Sequence, residues 1–262
     1  MIILDPPELV LLGSDTWRGW IKIDRRFAMS ETEVAGKQYA DFLKDPRVQR
    51  WLNQDRTERA SRLVAPEMPQ SGVSWEHAIR YCQWLNELEG VPESQWCYKN
   101  VWNEDGLSIT PEVDYLDRTG YRLPTEAEWQ YANSANASTP WAFGSDPAVS
   151  QYYEWTSINS NLQQQPVAQL RPNAWGFFDL GGNLSEWCDD FYDPPWRSSE
   201  HYFVVDSGNM DSEEGTYCSL RDARFSASPQ PSNVPSRKRL SSYLLGSTGF
   251  RLARTISPPA TK

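Results

Sequence analysis

The residue composition of the sequence changes after Ala132, and this change constrains the fold more than any other feature. Ser, Asn, Pro, Gly and aromatic residues dominate the second half, where apolar runs are as short as residues 176–180 and 248–253. Such runs, separated by turn-forming residues, are typical of short strands joined by long loops. Large aromatic side chains can hold loops in place, because each buries about 150–250 Å². Since 13% of the chain is aromatic, we expect an ordered but loop-rich second half.

The first half carries clearer helix signals. Apolar residues recur at three- and four-residue spacing over residues 37–43 and 75–88, which predicts two helices with one buried face each. Ser74 is a suitable N-cap for the second of them. Thr125 has a glutamate three residues later, a capping-box pattern that predicts a third, short helix through Tyr131. No stretch reads as a flexible linker, so one domain is predicted over residues 1–262, with its core at about residues 10–255.

Three classes of protein are disfavoured by what the sequence lacks. No apolar run approaches the ~20 residues that a membrane helix needs. The start is interrupted by Asp5, Pro6, Pro7 and Glu8, unlike the basic and apolar start of a signal peptide, so a cytoplasmic location is expected. No glycine-rich phosphate-binding motif follows an apolar strand, which argues against a βαβ nucleotide-binding fold.

Cysteine and histidine are few and scattered. The cysteines include no CxxC pair, so a structural zinc would require distant residues to converge. Because disulfides are unusual in the cytoplasm, we expect the cysteines to be buried small apolar residues. His77 lies on the second predicted helix and is expected to be a helix-surface or structural residue. The residues concerned are Cys82, Cys97, Cys188, Cys218, His77 and His201.

Charge is unevenly distributed along the chain. The formal net charge is -10, yet residues 215–262 contain eight basic residues and one acidic residue, Asp222. A basic C-terminal segment that folds against an acidic body explains this distribution. Nucleic-acid binding is disfavoured, because the chain as a whole would repel a phosphate backbone.

Several motifs follow one another in an order known from one family. They are VSW at 73–75, YCQWL at 81–85, YRLPTEAEWQYA at 121–132, PNAWGFFDL at 172–180, GNLSEWC at 182–188 and GFRLAR at 249–254. In this order the sequence resembles the formylglycine-generating enzyme, or sulfatase-modifying-factor, family over roughly residues 10–255. The resemblance implies an α+β fold: a single loop-rich, C-type-lectin-like domain with few helices and a small antiparallel sheet. It also makes Trp129 and Trp187, which lie inside two of the motifs, candidate core residues.

The resemblance also implies what catalysis would require. The family's oxidases convert a substrate cysteine to formylglycine and bind copper with two cysteines just after an Arg-Gly-Gly-Ser stretch. The matching stretch here is Arg221-Asp-Ala-Arg, and no cysteine follows Cys218, which precedes it. A second branch of the family uses iron held by three histidines, whereas this chain has two. Both kinds of chemistry are therefore disfavoured, because their metal ligands are missing.

One metal site remains open. The family binds calcium near the motif that is GNLSEW here, and Asn183 and Glu186 offer the oxygen ligands that Ca²⁺ prefers. The alternative is that both side chains only hold a tight turn by hydrogen bonds to the backbone. The nearby Asp189, Asp190 and Asp193 are expected to be solvated. No other cofactor is predicted.

If such a scaffold has lost catalysis, ligand binding is the function that remains. The family includes the variable proteins of diversity-generating retroelements, which display varied side chains shortly before a terminal GFR motif. Two clusters here match the residue types that such variation yields, and we predict that they bind a ligand, most simply a protein or peptide. Tyr243 would supply a large contact area at low entropic cost, and an exposed apolar patch at 243–245 would mark a binding surface. The clusters are Asp222, Ala223, Ser226 and Ser228, then Leu240, Ser241, Ser242, Tyr243, Leu244, Leu245 and Ser247.

Other interpretations stay open beside this one. An ordinary Ser-, Pro- and Gly-rich surface loop has the same composition as the two clusters. The protein could also be a formylglycine-generating oxidase with an unrecognised set of residues. A third alternative is an accessory domain of a kinase or protease signalling system, because family members occur fused to signalling proteins.

Overall fold

Four α-helices and thirteen short strands, joined by loops, lie in the part of the chain that the structure describes. The computed structural model describes residues 1–7, 9–14, 17–54, 62–103, 106–190, 201–205, 220–221, 225–228, 237–238 and 245–257. The helices are α1 (Gly36–Lys44), α2 (Pro46–Gln54), α3 (Trp75–Leu88) and α4 (Glu126–Ser134). The strands are β1 (Ile2–Leu4), β2 (Val10–Ser14), β3 (Trp17–Lys22), β4 (Phe27–Met29), β5 (Tyr98–Asn103), β6 (Gly106–Pro111), β7 (Tyr121–Arg122), β8 (Ser185–Trp187), β9 (His201–Val205), β10 (Leu220–Arg221), β11 (Arg237–Lys238), β12 (Thr248–Gly249) and β13 (Ala253–Thr255). The predicted α+β class, with few helices and small sheets, is confirmed.

Strands from both ends of the chain share one sheet. Its order is β1-β4-β13-β7, and all its pairings are antiparallel. A second sheet has the order β11-β10-β8-β12, in which β12 runs parallel to β8. The strands β2, β3 and β9 form a third sheet, in which β9 runs parallel to β3, and β5 and β6 form a separate hairpin. The predicted antiparallel sheet is thus accompanied by two short parallel pairings.

The predicted helices form where their caps and apolar spacing indicate. The α3 helix begins after Ser74, whose hydroxyl accepts a hydrogen bond from the His77 N–H at 3.2 Å. The α4 helix begins with the capping box: Thr125 Oγ1 accepts from the Glu128 N–H at 3.2 Å, and Glu128 Oε2 accepts from the Thr125 N–H at 3.0 Å. This helix continues to Ser134, one turn beyond the predicted end. Each cap satisfies N–H groups that a helix start leaves without partners.

The core consists of two apolar clusters. In the first, α1 and α3 pack together through aromatic rings. The centroid of the Tyr39 ring lies 5.1 Å from that of Phe42 in the same helix and 5.7 Å from that of Tyr81 in α3. The centroid of the Phe250 ring lies 5.4 Å from that of Tyr81. The second includes Phe27 and Met29 of β4 together with Trp129 of α4. The C-terminal motif reaches both clusters, since Phe250 belongs to the first and the first residue of β13 to the second. Among the described residues, no helix has the length and apolar character that crossing a bilayer requires.

Candidate ligand-binding surface

The GNLSEW motif lies at the centre of the fold, and Asn183 holds a turn there. The side chain is fully buried, with Oδ1 accepting from the Gln165 N–H at 3.0 Å. Its Nδ2 donates to Glu33 Oε2 and to the Gln165 carbonyl, each at 3.1 Å. The backbone of Asn183 is left-handed, with φ of 68°, a conformation that asparagine tolerates better than most residues. These contacts fit the alternative to a calcium site, in which the Asn183 side chain holds a tight turn by hydrogen bonds to the backbone.

Glu186 of the same motif forms a buried ion pair. Arg251 donates from Nε to Oε2 at 2.6 Å and from Nη2 to Oε1 at 2.7 Å, and Trp129 Nε1 donates to Oε2 at 2.7 Å. Both carboxylate oxygens are therefore engaged by a cation of the protein itself. Within the described ranges, no group of three or more His, Cys, Asp or Glu side chains is placed to hold a metal ion. Asn183 and Glu186, as arranged here, do not fit a calcium ion, and calcium has no part in the function proposed below.

Two further buried carboxyls, those of Glu33 and Asp179, form a cluster with Glu186 and Arg251. Burial raises the pKa of Glu33, the charges of Asp179 and Glu186 raise it further, and Arg251 lowers it. Burial also raises the pKa of Asp179 to about 6, against the lowering effect of a backbone N–H bond and of Arg251. Because one guanidinium faces three carboxyls, protonation of Glu33 and Asp179 relieves the excess negative charge. The cluster is a structural junction that joins three distant parts of the chain.

Asp189 is also buried, and the expectation that it is solvated is wrong. The Tyr98 hydroxyl donates to its Oδ2 at 2.7 Å and accepts from the Leu123 N–H at 2.9 Å. Burial raises the pKa of Asp189, and the bond from Tyr98 opposes this increase. Long-range bonds of this kind cannot be read from the local acidic composition.

The described cysteines and His77 belong to the interior. Cys82, Cys97 and Cys188 are buried, as expected, and Cys218 lies outside the described residues. Burial raises the pKa of Cys82 and raises that of Cys97 to about 12, so both remain protonated near neutral pH. His77 is buried, with its ring 4.9 Å from the ring of Trp51. His77 is thus a structural residue and does not lie on the helix surface.

The structure places only part of the predicted ligand surface. Ser226 and Ser228 are exposed, and Ser247 is half-buried. Leu245 begins a single turn of 3₁₀ helix, Leu245–Ser247. The other predicted residues lie outside the described residues: Asp222, Ala223, Leu240, Ser241, Ser242, Tyr243 and Leu244.

Both ends of the predicted surface attach to the same strand. β10 pairs with β8 through Leu220 opposite Trp187, and β12 pairs with β8 through Gly249 beside Glu186. The chain therefore leaves β8 after residue 221 and returns to it at residue 248. Because β8 belongs to the buried GNLSEW motif, the core fixes where the intervening residues begin and end.

A loop that the sequence reasoning missed lies against the described part of this surface. The loop is residues 156–165, called the 156–165 loop below. The Ser157 N–H donates to the Ala227 carbonyl at 2.9 Å, and Ser160 Oγ donates to the Phe225 carbonyl at 2.6 Å. A signal was available in the sequence: the sixteen residues 155–170 contain no Asp, Glu, Lys or Arg, although 23% of the chain is charged.

Comparison with known proteins identifies the family. A family model described as the sulfatase-modifying factor enzyme 1-like domain matches residues 18–256. The chain belongs to this family. The family and fold inferred from the motifs are thus confirmed.

The relatives that this chain matches carry different names. The chain is 26% identical to the chaperone protein LppX of Paenibacillus barcinonensis, over 70% of this chain and 71% of that protein. It is 26% identical to the formylglycine-generating enzyme of Streptomyces coelicolor, over 66% of this chain and 60% of that protein. It is 25% identical to the serine/threonine-protein kinase pkn1 of Chlamydia pneumoniae, over 82% of this chain but only 28% of the kinase. The match thus spans less than two thirds of the enzyme and under a third of the kinase.

Solved structures show the same fold. The Treponema denticola variable protein 1 superposes with a TM-score of 0.74 at 21% identity, covering 97% of this chain and 94% of that chain. PvdO from Pseudomonas aeruginosa superposes with a TM-score of 0.68 at 19% identity, covering 97% and 93%. At these identities the likeness establishes the architecture of the sulfatase-modifying-factor domain and leaves its function to be argued from the site.

The protein also contains a small surface cleft, in which about 20 Å³ is accessible to a water molecule. Its walls include two buried carboxyls, Glu154 and Asp179, beside the rings of Phe143 and Phe177. Among the described residues, no donor reaches Glu154 Oε2 or Asp179 Oδ1. Burial raises the pKa of Glu154 to about 8. A protonated, neutral carboxyl costs much less to bury beside aromatic rings than a carboxylate does.

We expect Glu154 to make the protein less stable as pH rises. Unfolded glutamate has a pKa of about 4.3, so between that pH and about 8 only the folded state keeps the Glu154 proton. Folding then takes up a proton, and the free energy of unfolding falls by up to about 1.4 kcal/mol per pH unit until the folded pKa is passed. Glu154→Gln should therefore stabilise the protein by about 1–3 kcal/mol at about pH 7.5 and by little at about pH 4.5. Urea unfolding of both proteins at the two pH values measures the difference.

Glu93→Gln is the matched control for this experiment, because Glu93 is exposed. Its effect on the free energy of unfolding should be small at both pH values. An equal effect of Glu154→Gln at the two pH values would contradict a proton bound to Glu154 in the folded state.

Proposed function

We propose that this protein binds a ligand, in the simplest case another protein, and catalyses no reaction on it. The ligand surface is built near the C-terminus from the two clusters between residues 222 and 247. One observation carries the proposal: no cysteine follows Cys218, so the thiol pair that the family's oxidases use for copper is missing. Soft thiolates are what Cu(I) requires.

The chemistry of the described cysteines supports this proposal. A reactive cysteine needs access to solvent and a lowered pKa. Cys82 and Cys97 have the opposite properties, since both are buried and burial raises their pKa values. Neither is suited to replace the missing pair.

The motif residues also support a scaffold role. Arg251 donates to Glu186, Asn183 Oδ1 accepts from the Gln165 N–H, and all three side chains are buried. The family motifs in this chain therefore stabilise the fold. None of these three residues lies in the stretch between β10 and β12, so binding residues there can vary without loss of those contacts.

The binding test uses Tyr243 and Leu244. Replacing both with Ala should weaken ligand binding at least about tenfold, because aromatic and apolar contacts dominate binding surfaces. The melting temperature should stay almost unchanged if the two side chains serve the ligand. The ligand for this measurement is a partner recovered by affinity purification, identified by mass spectrometry and then purified separately. Isothermal titration calorimetry gives the Kd.

Ser134→Ala serves as the control, because Ser134 is buried in α4 and is not one of the proposed surface residues. It should change stability and leave the Kd unaltered. A large fall in melting temperature for the Tyr243 and Leu244 variant, with the Kd unchanged, would refute the proposed surface.

Diversification by a retroelement is a finer form of the same proposal. The fold shared with the Treponema denticola variable protein 1 supports it, as do the residue types of the two clusters. A near-identical template repeat should then lie close to the gene, with its differences at adenines. If no such repeat and no reverse transcriptase lie nearby, diversification is refuted while ligand binding is not.

The two alternatives have tests of their own. Similarity to formylglycine-generating enzymes favours the oxidase alternative, for which a Cys-X-Pro-X-Arg peptide is incubated with the protein, copper and oxygen. Appearance of formylglycine by mass spectrometry would overturn the proposal. Similarity to part of a kinase favours an accessory role beside a signalling enzyme. In that case the purified partner would be a kinase or protease.

A further inference from the structure

Glu154 is a buried carboxyl that the described part of the chain leaves without a partner. The residue is 3% exposed, and among the described residues no donor reaches Oε2. Burial raises its pKa to about 8, and no positive charge or hydrogen bond of the described residues opposes this effect. Glu186, by contrast, receives bonds from Arg251 at 2.6 and 2.7 Å. Because buried polar groups normally have a partner, Glu154 is suited to receive one from outside the chain.

Two glycines hold this carboxyl in place. A Cβ atom at Gly181 would overlap the Glu154 carboxyl, and one at Gly182 would overlap the Trp155 backbone. The backbone of Gly181 is not left-handed, so its φ alone would allow an alanine. What excludes an alanine is the position of the carboxyl. Gly181 therefore makes room for a side chain that has no bonding role in the described part of the fold.

The surface cleft lined by Glu154 and Gly181 also has aromatic walls. The rings of Phe143 and Tyr153 stack there, with their centroids 4.9 Å apart and their planes at 19°. Phe177 lines the same cleft. The volume accessible to a water molecule, about 20 Å³, is room for one group of that size. Since the faces of aromatic rings attract cations, the cleft suits a small cation.

The other charged residues of the cleft do not neutralise Glu154. Arg171 is exposed, its guanidinium carbon lies 5.7 Å from the centroid of the Tyr152 ring, and it does not lower the pKa of Glu154. Asp179 is bonded elsewhere, since its Oδ2 accepts from the Ala168 N–H at 2.8 Å. The net charge of -10 favours cations over anions as ligands. A cation beside Glu154 would therefore supply the charge that the described residues do not.

Among organic cations, a primary ammonium group fits the cleft best. Its head is similar in size to a water molecule, and its three N–H groups can donate to a carboxylate. A guanidinium is larger, because it carries three nitrogens in one plane. A quaternary ammonium has no N–H to donate.

We propose that this cleft binds one primary ammonium group, which donates to the Glu154 carboxylate and lies against the rings of Phe143 and Tyr153. The cleft is a second site, and the proposal does not depend on the ligand surface at residues 222–247. A free amine and a lysine side chain of a polypeptide both carry such a group, and the experiment distinguishes them.

Methylammonium chloride is the probe, because it is the smallest primary alkylammonium. It is titrated into the wild-type protein at about pH 8.5 and constant chloride concentration, and the Gly181 N–H is followed by NMR. The shift should saturate with a Kd of about 10 mM or weaker, since a ligand of two non-hydrogen atoms binds no more tightly than this. Methanol has a similar size and no charge, so it should cause no saturating shift.

Nα-acetyl-lysine methylamide identifies the source of the ammonium group. Tighter binding than that of methylammonium would assign the cleft to a lysine side chain, and equal or weaker binding would assign it to a free amine. If neither compound shifts the Gly181 N–H, the inference is overturned. It is also overturned if calcium chloride gives a saturating shift and methylammonium does not, because the cleft would then be a metal site.

Glu154→Gln removes the charge and keeps the size of the side chain. It should weaken methylammonium binding at least about tenfold, while the melting temperature stays equal or rises. Loss of binding then cannot be attributed to unfolding. Glu93→Gln is the matched control, since Glu93 is exposed, and it should bind as the wild type does. Unchanged affinity in Glu154→Gln would refute the site.

The affinity for methylammonium should rise with pH. The ammonium group bonds to the carboxylate form of Glu154, which predominates only above about pH 8, whereas an alkylammonium stays charged up to about pH 10. Binding should therefore be about five- to tenfold tighter at about pH 8.5 than at about pH 7. The cleft is also lined by Tyr153, Arg171 and Asp179. An ordinary tyrosine is neutral and an arginine charged over this range, and Asp179, with a pKa of about 6, is mostly ionised. Equal affinity at the two pH values would contradict Glu154 as the binding group.

Discussion

Arg251→Met is expected to lower the free energy of unfolding by about 3–5 kcal/mol, because it leaves the buried carboxylate of Glu186 without its cation. The guanidinium donates to both oxygens of Glu186 and to the carbonyls of Ser30, Glu31 and Phe178. Methionine fills a similar volume and makes none of these bonds. Urea unfolding followed by tryptophan fluorescence measures the loss.

The double variant Arg251→Met with Glu186→Gln separates the ion pair from simple packing. Since the unpaired charge is gone, it should be less destabilised than Arg251→Met alone. Arg47→Met is the control, because the half-exposed Arg47 pairs with Asp45 near the surface and should contribute about 1 kcal/mol or less. Equal losses in Arg47→Met and Arg251→Met would contradict the importance of the buried pair.

Trp187→Ala is expected to cost about 3–5 kcal/mol, as for other buried aromatic side chains. Trp187 is buried in the first core cluster, and its Nε1 donates to the Val73 carbonyl at 2.7 Å. The substitution removes the ring and leaves that buried carbonyl without its donor. Thermal and urea unfolding both report the effect.

Trp187→Phe isolates the hydrogen bond, because phenylalanine keeps most of the ring. It should cost about 1–2 kcal/mol. Tyr152→Ala is the matched surface control, since Tyr152 is 53% exposed, and its loss should be below about 1 kcal/mol. If Trp187→Ala were no worse than Tyr152→Ala, Trp187 would not be the core residue that the structure shows.

Local signals in the sequence were sufficient for three of the helices. Ser74 and Thr125 cap their helices with the expected backbone bonds, since capping depends on residues three positions apart. The helix that was missed, α2, begins at Asp45-Pro46, and Asp45 Oδ1 accepts from the Arg47 N–H at 2.8 Å. An aspartate followed by proline is a helix start. The sequence reasoning did not use this start, although Val48, Trp51 and Leu52 follow it at helical spacing.

The candidate site shows where local reasoning fails. Asn183 and Glu186 resemble metal ligands when GNLSEW is considered alone. Their actual partners are distant in sequence: Arg251 lies 65 residues from Glu186, and Glu33 lies 150 residues from Asn183. Buried polar groups find partners through the tertiary fold, and a single sequence does not reveal such pairs. The 156–165 loop was missed for a related reason, since only the fold brings it against residues 225–227.

The position of β13 has a consequence for how the protein is made. β4 lies within the first 30 residues, and β13, which begins at residue 253, is inserted between β4 and β7. The chain grows on a ribosome at about 5–20 residues per second. Until β13 has been synthesised, β4 and β7 each have an unpaired edge. Such edges invite pairing with other chains. Chaperone contact during translation would therefore matter most in the interval before residues 253–255 emerge, when the sheet still lacks one of its two inner strands.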